Sequence, residues 1–201
     1  MTNSVKWIIF DVSGVIVNLT LQNPHGYEVR SRYFTRENLE GIFSTKEYHD
    51  YALGVLSHEQ CISKFIEHKK LDLSVSEFNE LFKNDITPMV GMKELIEQLS
   101  HVYQIALATN EGKENVKHKI EGSHVLPYLS KVIASYRIRE LKPSIAFYKK
   151  MLGIIQAKPS ECVFVDDTPA NVQVASSMGM RGIVFTNTPQ LEKELHALQL
   201  L

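Results

Sequence analysis

The sequence has few of the residues that mark disulfide-rich or zinc-binding proteins. Cys61 and Cys162 are its two cysteines, they lie far apart, and neither belongs to a CxxC pair. No HxxxH motif occurs either. Disulfide scaffolds and structural zinc sites need closely spaced ligands of these types. We therefore expect two buried free thiols, with neither a disulfide nor a zinc site.

An excess of charge and a long apolar run are also missing. Lysine and arginine number 22 against 23 acidic residues, a net charge of −1, and no basic run occurs. Proteins that bind nucleic acids carry a strong basic field, so we expect no nucleic acid partner. Apolar stretches such as residues 5–10 are too short to cross a bilayer, and the N-terminus lacks the apolar core of a signal peptide. These absences predict a cytoplasmic protein that does not associate with membranes.

The remaining composition is that of an ordinary globular chain, with 44% hydrophobic and 22% charged residues among 201. This length allows one domain with an insertion or two small domains. From residue 90 onward, helical and strand patterns alternate. The predicted helices cover residues 92–99, 113–120, 145–152, 170–178 and 190–200, and the predicted strands cover 105–108, 132–134, 163–165 and 182–185. Such alternation is typical of βαβ units and a parallel sheet.

Residues 18–89 show a different pattern, because only helical periodicity is found there. The predicted segments are 27–34, 38–42, 58–69 and 76–83. Ser57 is placed as a helix N-cap with Gln60 in a capping box, and Ser74 or Ser76 caps the next helix. We predict a small all-helical cap at 18–89, inserted into a core formed by 1–17 and 90–201. Aromatic residues at helical spacing are predicted to form the core of this cap, namely Phe43, Tyr48, Phe65, Phe78 and Phe82.

Two apolar runs of the predicted core end in acidic residues. Ile8-Ile9-Phe10 leads into Asp11, and residues 162–165 lead into Asp166 and Asp167. Ligands of open α/β sheets bind at the carboxyl ends of the strands, so these acids converge if the two strands are neighbours. Converging carboxylates repel each other, and a hard cation such as Mg²⁺ relieves the repulsion. The sequence therefore predicts a magnesium site.

Two further motifs carry groups suited to a phosphate. A buried strand predicted at 102–108 ends at Thr109 and Asn110, where a hydroxyl and backbone N–H groups can hold phosphate oxygens. Lys142 precedes Pro143, which is placed in the first turn of an amphipathic helix. Its ammonium would supply a point charge to a phosphoryl group.

Together, these four motifs resemble those of the haloacid dehalogenase-like hydrolase superfamily, in the same order. The resemblance implies an α/β fold: a Rossmann-like parallel sheet with helices on both faces, and a helical cap inserted after the first strand that closes over the active site. It implies that Asp11 is the nucleophile, that Thr109 and Asn110 bind phosphate, and that Lys142 neutralises charge. Ser13 is a further candidate for binding the substrate or its phosphate.

The resemblance also implies how magnesium is held. Asp11, Asp166 and the backbone carbonyl of Ser13 are the implied direct ligands. Asp167 is implied as a second ligand or as the holder of a metal-bound water. Asn171 is a candidate for orienting the acid pair, although an asparagine in the first turn of a helix needs no such role.

The segment 48–57 is similar to a cap segment of one branch, which contains α-glucose-1-phosphate phosphatase-like proteins and the N-terminal phosphatase-type domains of epoxide hydrolases. This implies a small phosphorylated metabolite as substrate, such as a sugar phosphate. The sequence leaves both a monomer and a homodimer open. The candidate substrate contacts in and near the cap are Asn18, His25, Tyr27, His49, Asp50 and Tyr51.

Position 13 departs from the family pattern. Phosphatases of the family carry a second aspartate two residues after the nucleophile, which protonates the leaving oxygen, and this chain has Ser13. Acid–base catalysis of this kind contributes about 10²–10⁴ in rate. Three hypotheses are open: a slow or selective phosphatase, a binding module that retains the metal site, and a 2-haloacid dehalogenase, which expels halide without protonation. They are ranked in that order.

Overall fold

The computed structural model describes residues 5–201, so residues 1–4 of the predicted core lie outside the described part. Its strands are β1 (Trp7–Phe10), β2 (Tyr27–Val29), β3 (Arg32–Phe34), β4 (Gln104–Thr109), β5 (Lys131–Ala134), β6 (Cys162–Asp166) and β7 (Arg181–Val184). Five of them form a parallel sheet in the order β5-β4-β1-β6-β7, and β2 and β3 form a separate antiparallel pair. The first strand thus lies at the centre of the sheet.

The helices are α1 (Arg36–Leu39), α2 (Lys46–Ala52), α3 (His58–Lys69), α4 (Val75–Asn84), α5 (Met92–Ser100), α6 (Lys113–Ser123), α7 (Ser135–Ile138), α8 (Ile145–Ile155), α9 (Pro169–Ser177) and α10 (Thr188–Ala197). Helices α1–α4 lie in the segment 18–89, and α5–α10 lie before, between and after the strands β4–β7. Among residues 5–201, no helix combines the length and apolar character needed to cross a bilayer.

The central strands are apolar on both faces because helices cover both. Ile8 and Phe10 of β1 belong to a hydrophobic cluster with residues of α5, α6 and α10. Ile9, which points to the opposite face, belongs to a cluster with residues of α8 and α9. Side chains that alternate between two covered faces are typical of a parallel α/β sheet. The prediction of a Rossmann-like core with helices on both faces is confirmed.

The segment between β1 and β4 is not all-helical, so this part of the prediction is wrong. Residues 27–34 form a hairpin in which Tyr27 pairs with Phe34 and Val29 pairs with Arg32. Burial along the hairpin alternates, with Glu28 and Tyr33 exposed and their neighbours partly or fully buried. The period of the segment is therefore two and not 3.6. The Arg32 guanidinium ties the hairpin to α4 through an ion pair with Glu77.

Other local predictions fare differently. Helix α3 has the predicted bounds, with Ser57 and Gln60 forming the capping box, and Ser74 rather than Ser76 caps α4. Helices α2 and α7 were not predicted. Pro143 lies before Ser144, the N-cap of α8, and so is not a first-turn residue.

The segment 18–89, called the insert below, has its own hydrophobic cluster, which includes Tyr48, Phe65, Phe78 and Phe82 as predicted. Phe43 is 37% exposed and does not belong to it. Both cysteines are buried free thiols, as predicted. The domain boundaries at residues 18 and 89 stay a prediction.

Candidate active site

The ends of β1 and β6 bring Asp11 and Asp166 side by side. Phe10 is in register with Val165, and the Asp11 backbone N–H continues the ladder by donating to the Val165 carbonyl at 2.8 Å. Both acids are buried. Asp11, Asp166 and Asp167 each place a carboxylate oxygen within 4.8 Å of the others. The predicted convergence of the acidic strand ends is thus present.

Lys142 lies between two of these carboxylates. Its Nζ is 2.9 Å from Asp11 Oδ1 and 2.6 Å from Asp166 Oδ2. Burial lowers the pKa of Lys142, but the charges of Asp11 and Asp166 outweigh burial and raise that pKa above its usual value. Burial raises the pKa of Asp11 to about 6, with Lys142 lowering it and Asp166 raising it further. The lysine is therefore a charged ammonium held against the candidate nucleophile.

Asn110 fixes the backbone on which Lys142 lies. Its Nδ2 donates to the Lys142 carbonyl at 2.8 Å, and its Oδ1 accepts from the Lys142 N–H at 2.8 Å. The side chain that ends the β4 motif thus positions the lysine of the next motif. The neighbouring Thr109 is buried. Binding of phosphate by the Asn110 backbone N–H stays a prediction.

The two neighbouring acids are in different environments. Both carboxylate oxygens of Asp166 are already engaged: Oδ2 by Lys142, Oδ1 by the Thr168 N–H at 2.9 Å, and both by Asn171 Nδ2 at 2.9 and 3.0 Å. Asn171 thus orients Asp166, as the sequence suggested.

Asp167 is half-buried, and its Oδ1 accepts a long hydrogen bond from Thr168 Oγ1 at 3.4 Å. Burial raises the pKa of Asp167, and the Asp166 charge adds to this effect. Its carboxylate lies against Gly14, which has φ +78°, and a Cβ there would be 2.3 Å from Asp167 Oδ2. Glycine is thus required by both the backbone and this close approach.

A cavity of about 430 Å³ opens onto these groups. The core contributes Asp11, Ser13, Thr109, Lys142 and Asp167 to its wall, and the inserted segment contributes Leu19, Thr20, Gln22, Phe43 and Tyr48. The insert therefore covers the carboxyl end of the sheet. It does so with residues other than those proposed from the sequence. None of the candidate substrate contacts proposed from the sequence lines this cavity: Asn18, His25, Tyr27, His49, Asp50 and Tyr51.

Sequence reasoning missed two charged residues of the cavity wall, Glu111 and Lys119. Both are buried and form an ion pair. Lys119 Nζ also donates to Ser13 Oγ at 2.6 Å, and the Tyr48 hydroxyl donates to Glu111 Oε2. Part of a signal was available in the sequence, because Asn115 and Lys119 are four residues apart and so share one face of α6, and Glu111 lies just before the helix N-cap Gly112.

Comparison with known proteins gives a consistent family. The model of a family described as haloacid dehalogenase-like hydrolase matches residues 8–185. Flavin mononucleotide hydrolase 1 of Arabidopsis thaliana is 28% identical over 152 residues, which cover 74% of this chain and 60% of that protein. The sesquiterpene phosphatase astK of Aspergillus oryzae is 23% identical over 202 residues, covering 98% of each chain.

A third relative has a higher sequence identity over a shorter segment. Bifunctional epoxide hydrolase 2 of Mus musculus is 38% identical over 64 residues, which are 32% of this chain and 12% of that protein. The chain thus matches less than two thirds of the Arabidopsis protein and a small part of the mouse one.

Solved structures share the fold. A HAD family enzyme from Bacteroides thetaiotaomicron, crystallised with magnesium and inorganic phosphate, superposes with a TM-score of 0.72 at 18% identity, covering 91% of this chain and 95% of that one. The L-2-haloacid dehalogenase from Xanthobacter autotrophicus gives a TM-score of 0.67 at 14% identity, covering 98% and 84%.

Proposed function

The chain belongs to the haloacid dehalogenase-like hydrolase family, and on this basis we propose that it is a Mg²⁺-dependent phosphatase of a small phosphorylated metabolite. The observation that carries the proposal is the contact of Asp11 with Lys142 at 2.9 Å, in a cavity that Thr109 also lines. A buried ammonium beside a carboxylate suits an anionic substrate, because it offsets the charge of both. Two relatives named as a hydrolase of flavin mononucleotide and as a phosphatase support the same chemistry.

The reaction that we propose has two halves. A carboxylate oxygen of Asp11 attacks phosphorus, and the bond to the leaving oxygen breaks with its electron pair on that oxygen. Water then attacks the aspartyl-phosphate and releases inorganic phosphate and the free carboxylate. Lys142 holds the phosphoryl group and Asp11 together in both halves, and the Thr109 hydroxyl and the backbone N–H of Asn110 bind the phosphate oxygens.

The donor set fits magnesium, since three carboxylates place oxygen atoms within 4.8 Å of one another and Mg²⁺ prefers oxygen ligands. We propose Asp11, Asp167 and the Ser13 carbonyl as the residues that hold it. Asp166, the direct ligand implied by the resemblance, has both oxygens occupied by Lys142, Asn171 and Thr168. When bound, the metal would offset negative charge on the transferring phosphoryl group.

We predict that Asp167→Asn weakens Mg²⁺ binding by at least about 100-fold, whereas Asp166→Asn weakens it by about tenfold, as loss of an outer-shell contact does. Calorimetric titration of each variant with MgCl₂ measures the difference. Asp72→Asn serves as the control, because its side chain is 89% exposed, and it should bind Mg²⁺ like the parent. A larger loss in Asp166→Asn than in Asp167→Asn would restore Asp166 as the direct ligand.

The function itself is tested by phosphate release from a panel of monophosphates with Mg²⁺ and with EDTA. The panel includes a sugar 1-phosphate, flavin mononucleotide and a sesquiterpenyl phosphate, together with a 2-haloacid monitored for halide. We expect phosphate release that needs Mg²⁺ and no halide. Confirmed Mg²⁺ binding without any turnover would favour a binding module, and halide release would favour a dehalogenase.

A further inference from the structure

The hydroxyl of Ser13 is held by a buried lysine that the reaction above does not use. Two lysines line the cavity, and their side chains are 1% and 2% exposed. Lys142 is paired with Asp11 and Asp166. Lys119 is paired with Glu111 instead, and its Nζ donates to Ser13 Oγ at 2.6 Å. The cavity thus has one cation at the nucleophile and a second at position 13.

We propose that Ser13 and Lys119 form the subsite for the leaving group, an inference that rests on the proposed phosphatase activity. The Ser13 hydroxyl donates a hydrogen bond to the leaving oxygen, and the Lys119 ammonium stabilises the negative charge that this oxygen takes up. Glu111 is a positioning residue that holds the ammonium in place. The pair thus takes over, by electrostatic stabilisation, the task of the acid that position 13 lacks.

The direction of the hydrogen bonds at the Ser13 hydroxyl supports this assignment. Ser13 Oγ accepts a hydrogen bond from the ammonium, so its own proton is free to be donated elsewhere. In the structure that proton is directed to Glu111 Oε1 over a long 3.3 Å, a contact that a closer oxygen can replace. A hydroxyl that accepts from a cation is polarised and becomes a stronger donor. Ser13 is therefore prepared to donate to a ligand atom in the cavity.

The surroundings of Lys119 keep its charge in one place. Glu111 Oε2 is held by the Tyr48 hydroxyl of α2 and by Asn115 Nδ2 at 3.2 Å. The rings of Phe43 and Phe82 lie 5.8 and 5.6 Å from Lys119 Nζ. A fixed charge in apolar surroundings acts more strongly on a neighbouring charge than one in water does. Because Tyr48 and both rings belong to the insert, the insert completes this subsite.

The step balances without any change in the pair itself. The electron pair of the broken phosphorus–oxygen bond goes to the leaving oxygen, which departs into the hydrogen bond from Ser13. Solvent water then supplies the proton that makes it an alcohol, and the hydroxide that remains is neutralised by the proton released when water attacks the aspartyl-phosphate. Leaving oxygens that carry more charge in the transition state should depend more on Lys119, so its role is visible in the dependence of rate on the leaving group.

The test compares kcat/KM for 4-nitrophenyl phosphate, a good leaving group, with that for phenyl phosphate and an alkyl phosphate. We expect Lys119→Met to lose about 10²-fold on the alkyl phosphate, the loss typical of one transition-state donor, and less than tenfold on 4-nitrophenyl phosphate. Ser13→Ala should show the same trend with a smaller loss. It also keeps the ion pair and the backbone carbonyl, so it remains informative where removal of Lys119 impairs folding.

Lys117→Met on the same helix is the matched control, because Lys117 is exposed and pairs only with Glu121 at 3.9 Å among the contacts of the described chain. It should match the parent on every substrate. An equal loss on all substrates in both Lys119→Met and Ser13→Ala, or no loss in either, would overturn the subsite. A parent without Mg²⁺-dependent turnover of these phosphates or of any monophosphate in the panel would instead overturn the phosphatase, and the subsite with it.

Discussion

Asp11→Asn is expected to reduce phosphate release by at least about 10⁴-fold, as removal of a covalent nucleophile does in other hydrolases. The amide is close in size to the carboxylate but cannot attack phosphorus. Its position beside Lys142 and at the cavity wall is otherwise retained. The measurement is kcat/KM on the best substrate of the panel, together with a phosphoryl-enzyme assay that should detect label only in the parent.

A matched stability measurement separates lost chemistry from lost folding. Burial raises the pKa of Asp11 to about 6, so an ionised Asp11 at neutral pH costs the folded state free energy. The uncharged amide removes this cost. We therefore expect the thermal midpoint of Asp11→Asn, measured in EDTA, to equal or exceed that of the parent. Substantial turnover by the folded variant would rule out Asp11 as the nucleophile.

The placement of the acids could be predicted because it depends on strand order and burial alone. The runs before Asp11 and Asp166 are apolar at every position, which fits strands covered on both faces. Neighbouring parallel strands then bring their ends to one edge of the sheet. For the same reason Thr109, at the end of β4, could be placed in the site without coordinates.

The hairpin at residues 27–34 could not be predicted in the same way. Its turn consists of Arg30 and Ser31, with φ of 47° and 65°, and neither is a residue that usually marks such a turn. Tyr27 and Phe34 are seven residues apart and Val29 and Tyr33 are four apart, and both spacings also occur on a helix face. The packing of Arg32 against Glu77 of α4, which is distant in sequence, helps to stabilise the strand conformation.

The roles of Glu111 and Lys119 could not be predicted from the sequence either, because they depend on which residues pack against them. In the sequence, Glu111 and Lys119 look like solvent-exposed charges, one just before α6 and one in its middle. They are buried because the insert packs over α6 and brings Tyr48 and Phe43 to them. In the same way, only hydrogen bonds distinguish Asp166, whose oxygens are engaged, from its neighbour Asp167.

Lys142→Met is expected to lower both activity and stability. Methionine retains most of the volume but leaves two buried carboxylates, Asp11 and Asp166, without their cation. Breaking a buried ion pair by removing one partner costs about 3–5 kcal/mol, so the free energy of unfolding in EDTA should fall by about that amount. Loss of the charge at the phosphoryl group should reduce kcat/KM by about 10³-fold. Lys150→Met is the control, because Lys150 is exposed and pairs with the partly exposed Glu140, so that its loss should change stability by less than about 1 kcal/mol.

A second substitution separates the two effects of Lys142. In Lys142→Met/Asp166→Asn, one of the two orphaned carboxylates becomes neutral, and Asn171 and the Thr168 N–H can still donate to the remaining amide oxygen. Because the two residues are in contact at 2.6 Å, their effects should not add. We expect the double variant to regain part of the lost stability, measured by denaturant unfolding, and none of the lost activity. Its activity is compared with that of Asp166→Asn alone at saturating Mg²⁺, because Asp166→Asn is itself expected to weaken Mg²⁺ binding. Activity equal to that of Asp166→Asn would mean that Lys142 serves the fold alone, whereas recovered stability with much lower activity assigns its charge to the phosphoryl group.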